Sequence, residues 1–276
     1  MNNIALKKSI PNFITISNLF LGFTAIVLLS LSINNSIEYI KTACYLILLS
    51  TILDSVDGKI ARKLKISSDF GKEIDSLADL VSFCIVPSFL IFVYYTVVLP
   101  DYIQLSSLII LSSFPLVFGA IRLAKYNALK EMRESEKYMG LPTPSNAILI
   151  CSLVLFYMNA PIRGYVETPI SILIEYNKFD IFLKNYIGWL FEIKSMILLI
   201  STISSILLMS RINYEKFPLV SFKINKQNNI NLIKVILFLI ILIISVYYNY
   251  YDIVLLFFIS IYIFGNAFKS LVYFNK

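Results

Sequence analysis

Apolar residues divide the chain into eight long stretches that are separated by polar segments. An α-helix needs about 20 apolar residues to cross the hydrocarbon core of a bilayer, and each stretch approaches that length. The predicted spans are 11–33, 39–62, 73–99, 104–126, 142–160, 189–210, 232–249 and 252–271. The pattern therefore predicts an all-α fold, a polytopic bundle of transmembrane helices.

The polar segments predict how this bundle is organised. Residues 1–210 hold six spans, 211–231 form a polar linker, and 232–276 hold two additional transmembrane helices. The segment 130–140 is predicted to be a loop. Residues 161–188 mix apolar and charged positions, which fits either an external loop or an amphipathic segment at the membrane interface. We expect a six-helix core plus two C-terminal helices.

Composition supports a membrane protein and restricts its chemistry. The chain is 58% hydrophobic and 15% charged, whereas soluble domains average about 45–50% apolar and about 25% charged. It contains no histidine, so the usual general base and the usual metal ligand are absent. The three cysteines lie in apolar runs without metal-type spacing. Acid–base or metal chemistry must therefore use Asp, Glu, Lys, Tyr or Cys.

The basic residues predict the orientation in the membrane. If the N-terminus is cytoplasmic, nineteen of the 24 Lys and Arg residues fall on the inner side, as the positive-inside rule requires. The net charge of +7 then faces anionic lipid headgroups, and no nucleic-acid partner is expected. We predict an integral membrane protein with a cytoplasmic N-terminus. The compact chain favours the bacterial plasma membrane.

A cluster of carboxylates marks the inner ends of the second and third spans. Asp54 and Asp57 end one helix, and Asp75 and Asp79 begin the next. At about 100° per residue, each pair occupies one face of its helix. Two helices joined by the short turn 63–70 are natural antiparallel neighbours. The four carboxylates are therefore expected to converge near the membrane surface.

Four converging carboxylates require a source of positive charge. A carboxylate in a membrane helix costs about 2.5–3.5 kcal/mol on insertion scales, and the four repel one another. Arg62 is the only cation on these two helix faces. Ligation by Asp oxygens alone suits Mg²⁺ or Mn²⁺, and a pair of such ions suits phosphoryl chemistry. We therefore predict a site for two divalent metal ions.

Small residues beside the carboxylates leave room for a ligand. Gly58 and Ala61 leave one helix face bare, and Gly71 does the same on the opposing helix. A nucleotide or pyrophosphate fits against such a surface, and Arg62 is suited to grip its phosphate oxygens. A cation transporter or channel is the alternative from a different class. It requires an ion path through the whole membrane, yet the outer halves of these spans are apolar.

At these residues the chain resembles the CDP-alcohol phosphatidyltransferase family. The family signature D-x2-D-G-x2-A-R-x8-G-x3-D-x3-D is matched at every position from Asp54 to Asp79. The flanking segments 11–22, 120–127 and 140–144 resemble the branch of the family that uses serine as the acceptor. Lys125 and Tyr126 replace the more usual Arg and Phe of the second flank, and Lys lacks the fork geometry of Arg.

The resemblance implies roles for individual residues. The implied metal ligands are Asp54, Asp57, Asp75 and Asp79, with Asp79 also the base toward the acceptor hydroxyl. The implied contacts to the CDP moiety are Pro11, Thr15, Asn18, Gly58, Ala61, Arg62 and Gly71. On the acceptor side we expect Arg122 and Asn127.

The resemblance also implies the reaction and the partners. The expected reaction transfers a phosphatidyl group from CDP-diacylglycerol to L-serine at the cytoplasmic face, using two Mg²⁺ or Mn²⁺ ions and releasing CMP. Transfer to glycerol 3-phosphate or inositol phosphate is the alternative within the family, since Arg122 and Lys125 offer charge for a phosphate. The implied assembly is a homodimer within membrane lipid.

Overall fold

The computed structural model describes residues 3–33, 37–64, 69–100, 103–129, 138–159, 193–215 and 226–274. In this part of the chain almost all residues are helical, which confirms the predicted all-α class. Five helices are long and apolar enough to span a membrane: Pro11–Ser32, Glu38–Ile60, Phe70–Val97, Leu105–Ala128 and Tyr251–Ser270. Three shorter apolar helices occupy the other predicted spans. The chain is an integral membrane protein.

The first four predicted spans comprise six α-helices. These are α1 (Asn3–Ser32), α2 (Glu38–Leu64), α3 (Asp69–Leu80), α4 (Val86–Val97), α5 (Leu105–Ser112) and α6 (Phe114–Ala128). The rest of the described chain forms α7 (Thr143–Asn159), α8 (Ile193–Leu207), α9 (Lys226–Tyr247) and α10 (Tyr251–Phe274). Helix α9 begins six residues earlier than predicted, inside the polar linker. The segment predicted to be either an external loop or an interfacial helix, 161–188, lies outside the described residues.

Prolines interrupt two of the membrane spans. A π-helical turn, Val81–Ile85, joins α3 to α4, and the N–H of Val86 donates to the carbonyl of Val81. Pro87 follows directly; its ring excludes a regular helical bond to the preceding turn, and a wider turn accommodates it. In the next span, Pro115 follows a break at Ser113. The N–H of Leu116 there donates to the Ser88 hydroxyl at 2.9 Å.

A short antiparallel ladder on the predicted cytoplasmic side was not expected from the sequence. Strand β1 (Tyr138–Met139) pairs with β2 (Asn213–Tyr214), within a region predicted to be loop. Gly140 follows β1 with a φ of 77°, a conformation that a residue with a Cβ adopts only under strain. A Cβ at this position would also overlap the carbonyl oxygen of Leu208. Gly140 therefore lets the chain turn tightly into α7.

Helix α7 lies in the middle of the bundle and forms much of its core. Twelve of its residues are buried, and it packs against α2, α8 and α10. The core extends through α1, α2, α4 and into α10, where Ile259 and Ile263 are buried. Helix α9 contacts α10 and has a mostly exposed apolar surface, as expected of a helix facing lipid. The last helix is thus packed against α7 in the core of the bundle.

Candidate functional site

Three aspartates from two helices meet at one end of the bundle. Asp54 and Asp57 lie near the end of α2, and Asp75 lies on α3. One carboxylate oxygen from each can be chosen so that all three lie within 4.8 Å of one another. Asp57 is 3% exposed. The predicted convergence of these two helix faces is therefore present for three of the four carboxylates.

The fourth carboxylate, Asp79, lies one helical turn beyond Asp75. It interacts electrostatically with all three aspartates of the group, but it does not belong to the set within 4.8 Å. Its Oδ1 atom is buried and has no hydrogen-bond partner among the described residues. A buried carboxylate oxygen without a partner is rare in native structures and indicates a ligand, an ion or a water.

This set of ligands fits a divalent metal ion. Like charges at such a spacing repel strongly in a desolvated site. Mg²⁺ and Mn²⁺ prefer carboxylate oxygens and tolerate water as the remaining ligands. The three aspartates supply only oxygen atoms at a mutual distance that one ion can bridge. Asp54, Asp57 and Asp75 are therefore the residues that would hold such an ion, and Asp79 is next to them.

Helix α1 holds Asp57 in position. The hydroxyl of Thr15 is 2.8 Å from Oδ2 of Asp57 and 3.1 Å from the carbonyl oxygen of Pro11 on its own helix. Thr15 and Pro11 were predicted to lie beside the CDP moiety. That placement stays a prediction; in the structure Thr15 hydrogen-bonds to a candidate metal ligand, which is the usual arrangement of residues that orient a ligand.

Asn18 joins three membrane helices rather than lining an open surface. It is fully buried, its Oδ1 accepts a hydrogen bond from Ser50 of α2, and its carbonyl oxygen accepts one from Ser82 at 3.1 Å. Asn18 was predicted to contact CDP. That contact stays a prediction; the described hydrogen bonds of Asn18 hold α1 against α2 and the π-helical turn.

Arg122 of α6, a third helix beside α2 and α3, places a positive charge near the carboxylates. Its side chain is 6% exposed and interacts electrostatically with Asp79. Its Nε atom has no hydrogen-bond partner among the described residues. Sequence reasoning counted only Arg62 on the two aspartate-bearing helices. In the sequence, Arg122 was identified by its place in the flanking segment 120–127, and it was predicted to lie on the acceptor side.

Asn127, the other residue predicted for the acceptor side, contacts a neighbouring helix. Its amide Nδ2 donates to the hydroxyl of Ser76 at 2.8 Å. Ser76 adjoins Asp75 on α3, so this bond fastens the C-terminal end of α6 to the helix that carries Asp75 and Asp79. Ser76 was missed by sequence reasoning, because a single Ser between aspartates carries no pattern of its own.

The residues predicted to make room for the nucleotide are described in part. A Cβ built on Gly58 meets nothing within 4 Å, so the surface of α2 beside Asp57 is open. Gly71 lies on α3, near the start of that helix. Ala61 and Arg62 belong to the last turn of α2, but their side chains lie outside the described part of the structure.

Comparison with known proteins agrees with this site. Residues 8–190 match the profile of CDP-alcohol phosphatidyltransferases, which covers more than half of the chain and includes all four aspartates. The chain belongs to the CDP-alcohol phosphatidyltransferase family.

Relatives with assigned names point to one branch. The chain is 35% identical over 145 residues to the CDP-diacylglycerol–serine O-phosphatidyltransferase of Helicobacter pylori strain J99, covering 52% of this chain and 56% of that protein. It is 34% identical over 160 residues to the enzyme of the same name from Bacillus subtilis strain 168, covering 58% of this chain and 81% of that protein. The archaetidylserine synthase of Methanothermobacter thermautotrophicus is 33% identical over 180 residues, covering 62% and 71%. This chain thus spans little more than half the length of the Helicobacter relative.

Proposed function

We propose that this protein transfers the phosphatidyl group of CDP-diacylglycerol to L-serine, giving phosphatidylserine and CMP. The observation that carries the proposal is the convergence of Asp54, Asp57 and Asp75 within 4.8 Å in a chain of this family. The names of the Helicobacter and Bacillus relatives support serine as the acceptor. Arg122, the only buried Lys or Arg among the side chains that the structure describes, lies beside Asp79 and supports serine as well, because a phosphate-bearing acceptor requires more positive charge.

The proposed cofactor is a pair of Mg²⁺ or Mn²⁺ ions, held by Asp54, Asp57 and Asp75 with Asp79 beside them. When bound, such ions withdraw charge from the pyrophosphate oxygens and stabilise CMP as a leaving group. The buried hydrogen bond from Thr15 to Asp57 keeps that carboxylate turned toward the shared site. The open surface of α2 at Gly58 leaves room for the nucleotide, and we assign Ala61, Arg62 and Gly71 to contacts with the same CDP moiety.

Asp79 is the proposed general base. Its carboxylate accepts the proton of the serine hydroxyl while the serine oxygen forms a bond to the lipid-linked phosphorus. The bond from that phosphorus to the CMP oxygen breaks, and its electron pair leaves with CMP. The unpartnered Oδ1 of Asp79 is available for this proton, as a general base requires. Arg122 offers its positive charge to the acceptor next to the base.

The proposed setting is the inner leaflet of a bacterial plasma membrane, with the N-terminus and the carboxylates cytoplasmic. The distribution of basic residues supports this orientation. We also propose that residues 1–210 form the catalytic core, that 211–231 link it to two further helices in 232–276, and that the protein is a homodimer.

The experiment that tests the reaction measures CMP released by the purified protein in detergent micelles containing CDP-diacylglycerol. L-serine, glycerol 3-phosphate and inositol phosphate are offered separately, with Mn²⁺ or Mg²⁺ or with a chelator. We expect release with serine and a divalent ion, and loss of release with the chelator. Preference for a phosphate-bearing acceptor overturns the serine assignment. Ion flux into liposomes without CMP release overturns the enzyme assignment.

Replacing Thr15 by valine tests how Asp57 is held. The variant keeps the shape of the side chain but loses the hydrogen bond to Asp57. Loss of a residue that orients a metal ligand weakens metal affinity by about 10- to 100-fold. We expect the Mn²⁺ concentration that gives half-maximal CMP release to rise by that factor. Thr24→Val is the matched control, because the Thr24 hydroxyl bonds only to its own helix at Phe20. An equal Mn²⁺ requirement in both variants contradicts the prediction.

A further inference from the structure

The π-helical turn Val81–Ile85 begins two residues after Asp79 and lies where several helices meet. Helices α1, α2, α6 and α7 all contact this turn, in addition to α3 and α4, which it joins. Ser82, Phe83 and Cys84 within it are buried. Single π-helical turns inside α-helices are uncommon and occur frequently at functional sites. The turn is therefore a candidate for a role in the carboxylate site beside it.

A π-helical turn changes the rotation of one helical segment relative to the next. Its backbone hydrogen bonds join residues five apart rather than four, so the turn contains one residue more than a regular turn. One residue corresponds to about 100° of rotation about the helix axis. Helix α4 is fixed in the core by buried residues such as Leu90, Ile91 and Val93. With α4 fixed, the turn determines which face of α3 is directed toward α2.

Helix α1 packs directly against this turn. The hydroxyl of Ser82 donates to the carbonyl oxygen of Asn18 at 3.1 Å. A Cβ built on Gly22, one turn further along α1, would overlap the Ser82 hydroxyl oxygen and lie 3.2 Å from the Cα atom of Ser82. The same helix holds Asp57 through the hydroxyl of Thr15. Helix α1 therefore contacts both a candidate metal ligand on α2 and the turn that ends α3.

Helix α6 also packs against the turn, at Cys84. A Cβ built on Gly119 would overlap the sulfur of Cys84 and lie 3.2 Å from the Cβ atom of that residue. Cys84 is fully buried, so its sulfur is surrounded by protein. Cys84 also interacts electrostatically with Asp79. A displacement of Cys84 therefore moves the turn to which the Asp79 end of α3 is attached.

We propose that the π-helical turn is the positioning element of the metal site. Ser82 and Cys84, packed against α1 and α6, fix the rotation at which α3 presents Asp75 and Asp79 to α2. Ser82 and Cys84 are positioning residues, because they act through these two carboxylates. The inference rests on the proposed metal site and does not depend on which alcohol is the acceptor.

Gly119→Ala tests the proposal, because the added methyl group must displace Cys84. The full chain in detergent micelles is titrated with Mn²⁺ alone, and free Mn²⁺ is measured by electron paramagnetic resonance. Disturbing residues that orient metal ligands weakens metal affinity by about 10- to 100-fold, and we expect the Kd for Mn²⁺ to rise by that factor. Thermal unfolding is measured without metal on the same samples. A lower Tm with the wild-type Kd for Mn²⁺ overturns the proposal, because the turn then supports only the fold.

A compensating substitution shows whether the effect of Gly119→Ala passes through the turn. Cys84→Ala removes the overlapping sulfur, so the double variant Gly119→Ala/Cys84→Ala should return to within about threefold of the wild-type Kd for Mn²⁺. Equally weak Mn²⁺ binding in the single and double variants overturns the proposal, because the effect then arises elsewhere on α6. Gly265→Ala on α10 is the matched control, since a Cβ there meets nothing within 4 Å. It should keep the wild-type Kd.

Ser82→Ala decides the question if Gly119→Ala does not fold, because it removes one hydroxyl and adds no atom. Loss of the hydrogen bond to Asn18 should raise the Kd for Mn²⁺ by about three- to tenfold. Ser152→Ala is its control, since the buried Ser152 hydroxyl bonds to its own helix at Leu149. Equal Mn²⁺ affinity in these two variants overturns the role of the turn.

The same titration separates this inference from the proposed function. A wild-type protein that binds no Mn²⁺ overturns the proposed metal site, and the role of the turn with it. A wild-type protein that binds Mn²⁺ but releases no CMP with serine overturns the proposed reaction only. The effect of Gly119→Ala and its reversal by Cys84→Ala would then still support the turn as the positioning element.

Discussion

Asp57→Asn is expected to lower kcat for serine-dependent CMP release by about 10³-fold. A divalent ion that stabilises charge in the transition state contributes several kcal/mol, and each ~1.4 kcal/mol is a factor of ten in rate. Asn keeps the shape of the side chain and one oxygen atom but removes the negative charge. Asp57 is the most buried of the three convergent aspartates, so water replaces it least readily.

The Asp57→Asn measurement needs a control for the loss of a negative charge near the site. Glu73→Gln provides it, because Glu73 is an exposed carboxylate on the same helix as Asp75. We expect Glu73→Gln to retain activity within about twofold, as surface charges contribute little. Raising the Mn²⁺ concentration should partly restore Asp57→Asn, since a weakened site can still fill. Wild-type activity in Asp57→Asn at limiting Mn²⁺ would rule out the proposed metal site.

Asp79→Asn is expected to lower kcat by about 10²- to 10⁴-fold, the range that general-base catalysis contributes. The amide cannot accept the proton of the serine hydroxyl. Asp79 lies outside the group within 4.8 Å, so the Mn²⁺ requirement should change much less than in Asp57→Asn. The measurement is single-turnover CMP release at saturating serine and Mn²⁺.

The affinity of Asp79→Asn for CDP-diacylglycerol distinguishes loss of the general base from loss of the folded structure. The variant should bind this lipid with the wild-type affinity, because the three convergent aspartates are intact. Its thermal stability should not fall, since replacing a buried carboxylate by an amide relieves repulsion from Asp54, Asp57 and Asp75. A variant that is stable, binds substrate and turns over at the wild-type rate would remove Asp79 from the role of base.

Hydrophobic periodicity predicted most of the fold because the bilayer restricts which structures can span it. A spanning segment must satisfy its own backbone in lipid, so apolar length alone identifies the helices. All eight predicted spans correspond to described helices. Local backbone features were not predictable in the same way. The ladder of Tyr138–Met139 with Asn213–Tyr214 depends on contacts between distant residues, and apolar periodicity does not encode the π-helical turn before Pro87.

The carboxylates were predictable because they are charged side chains within apolar helices. A charge inside an apolar helix is costly and therefore functional by default, and the four-residue spacing gives the shared face without any coordinates. Thr15 shows the limit of that reasoning. Its hydroxyl bonds to Asp57 across 42 positions of sequence, and no local pattern encodes such a contact.

The sequence by itself determined the class of fold, the cluster of aspartates on two neighbouring helices and the suitability of that cluster for divalent ions. These follow from apolar length, charge distribution and helical spacing, which are local quantities. Only the tertiary structure decided that Arg122 of α6 stands beside Asp79 of α3, and that Thr15 of α1 bonds to Asp57 of α2. Those residues come from four separate helices, and the physical reason is packing: side chains distant in sequence become neighbours only once the helices are assembled.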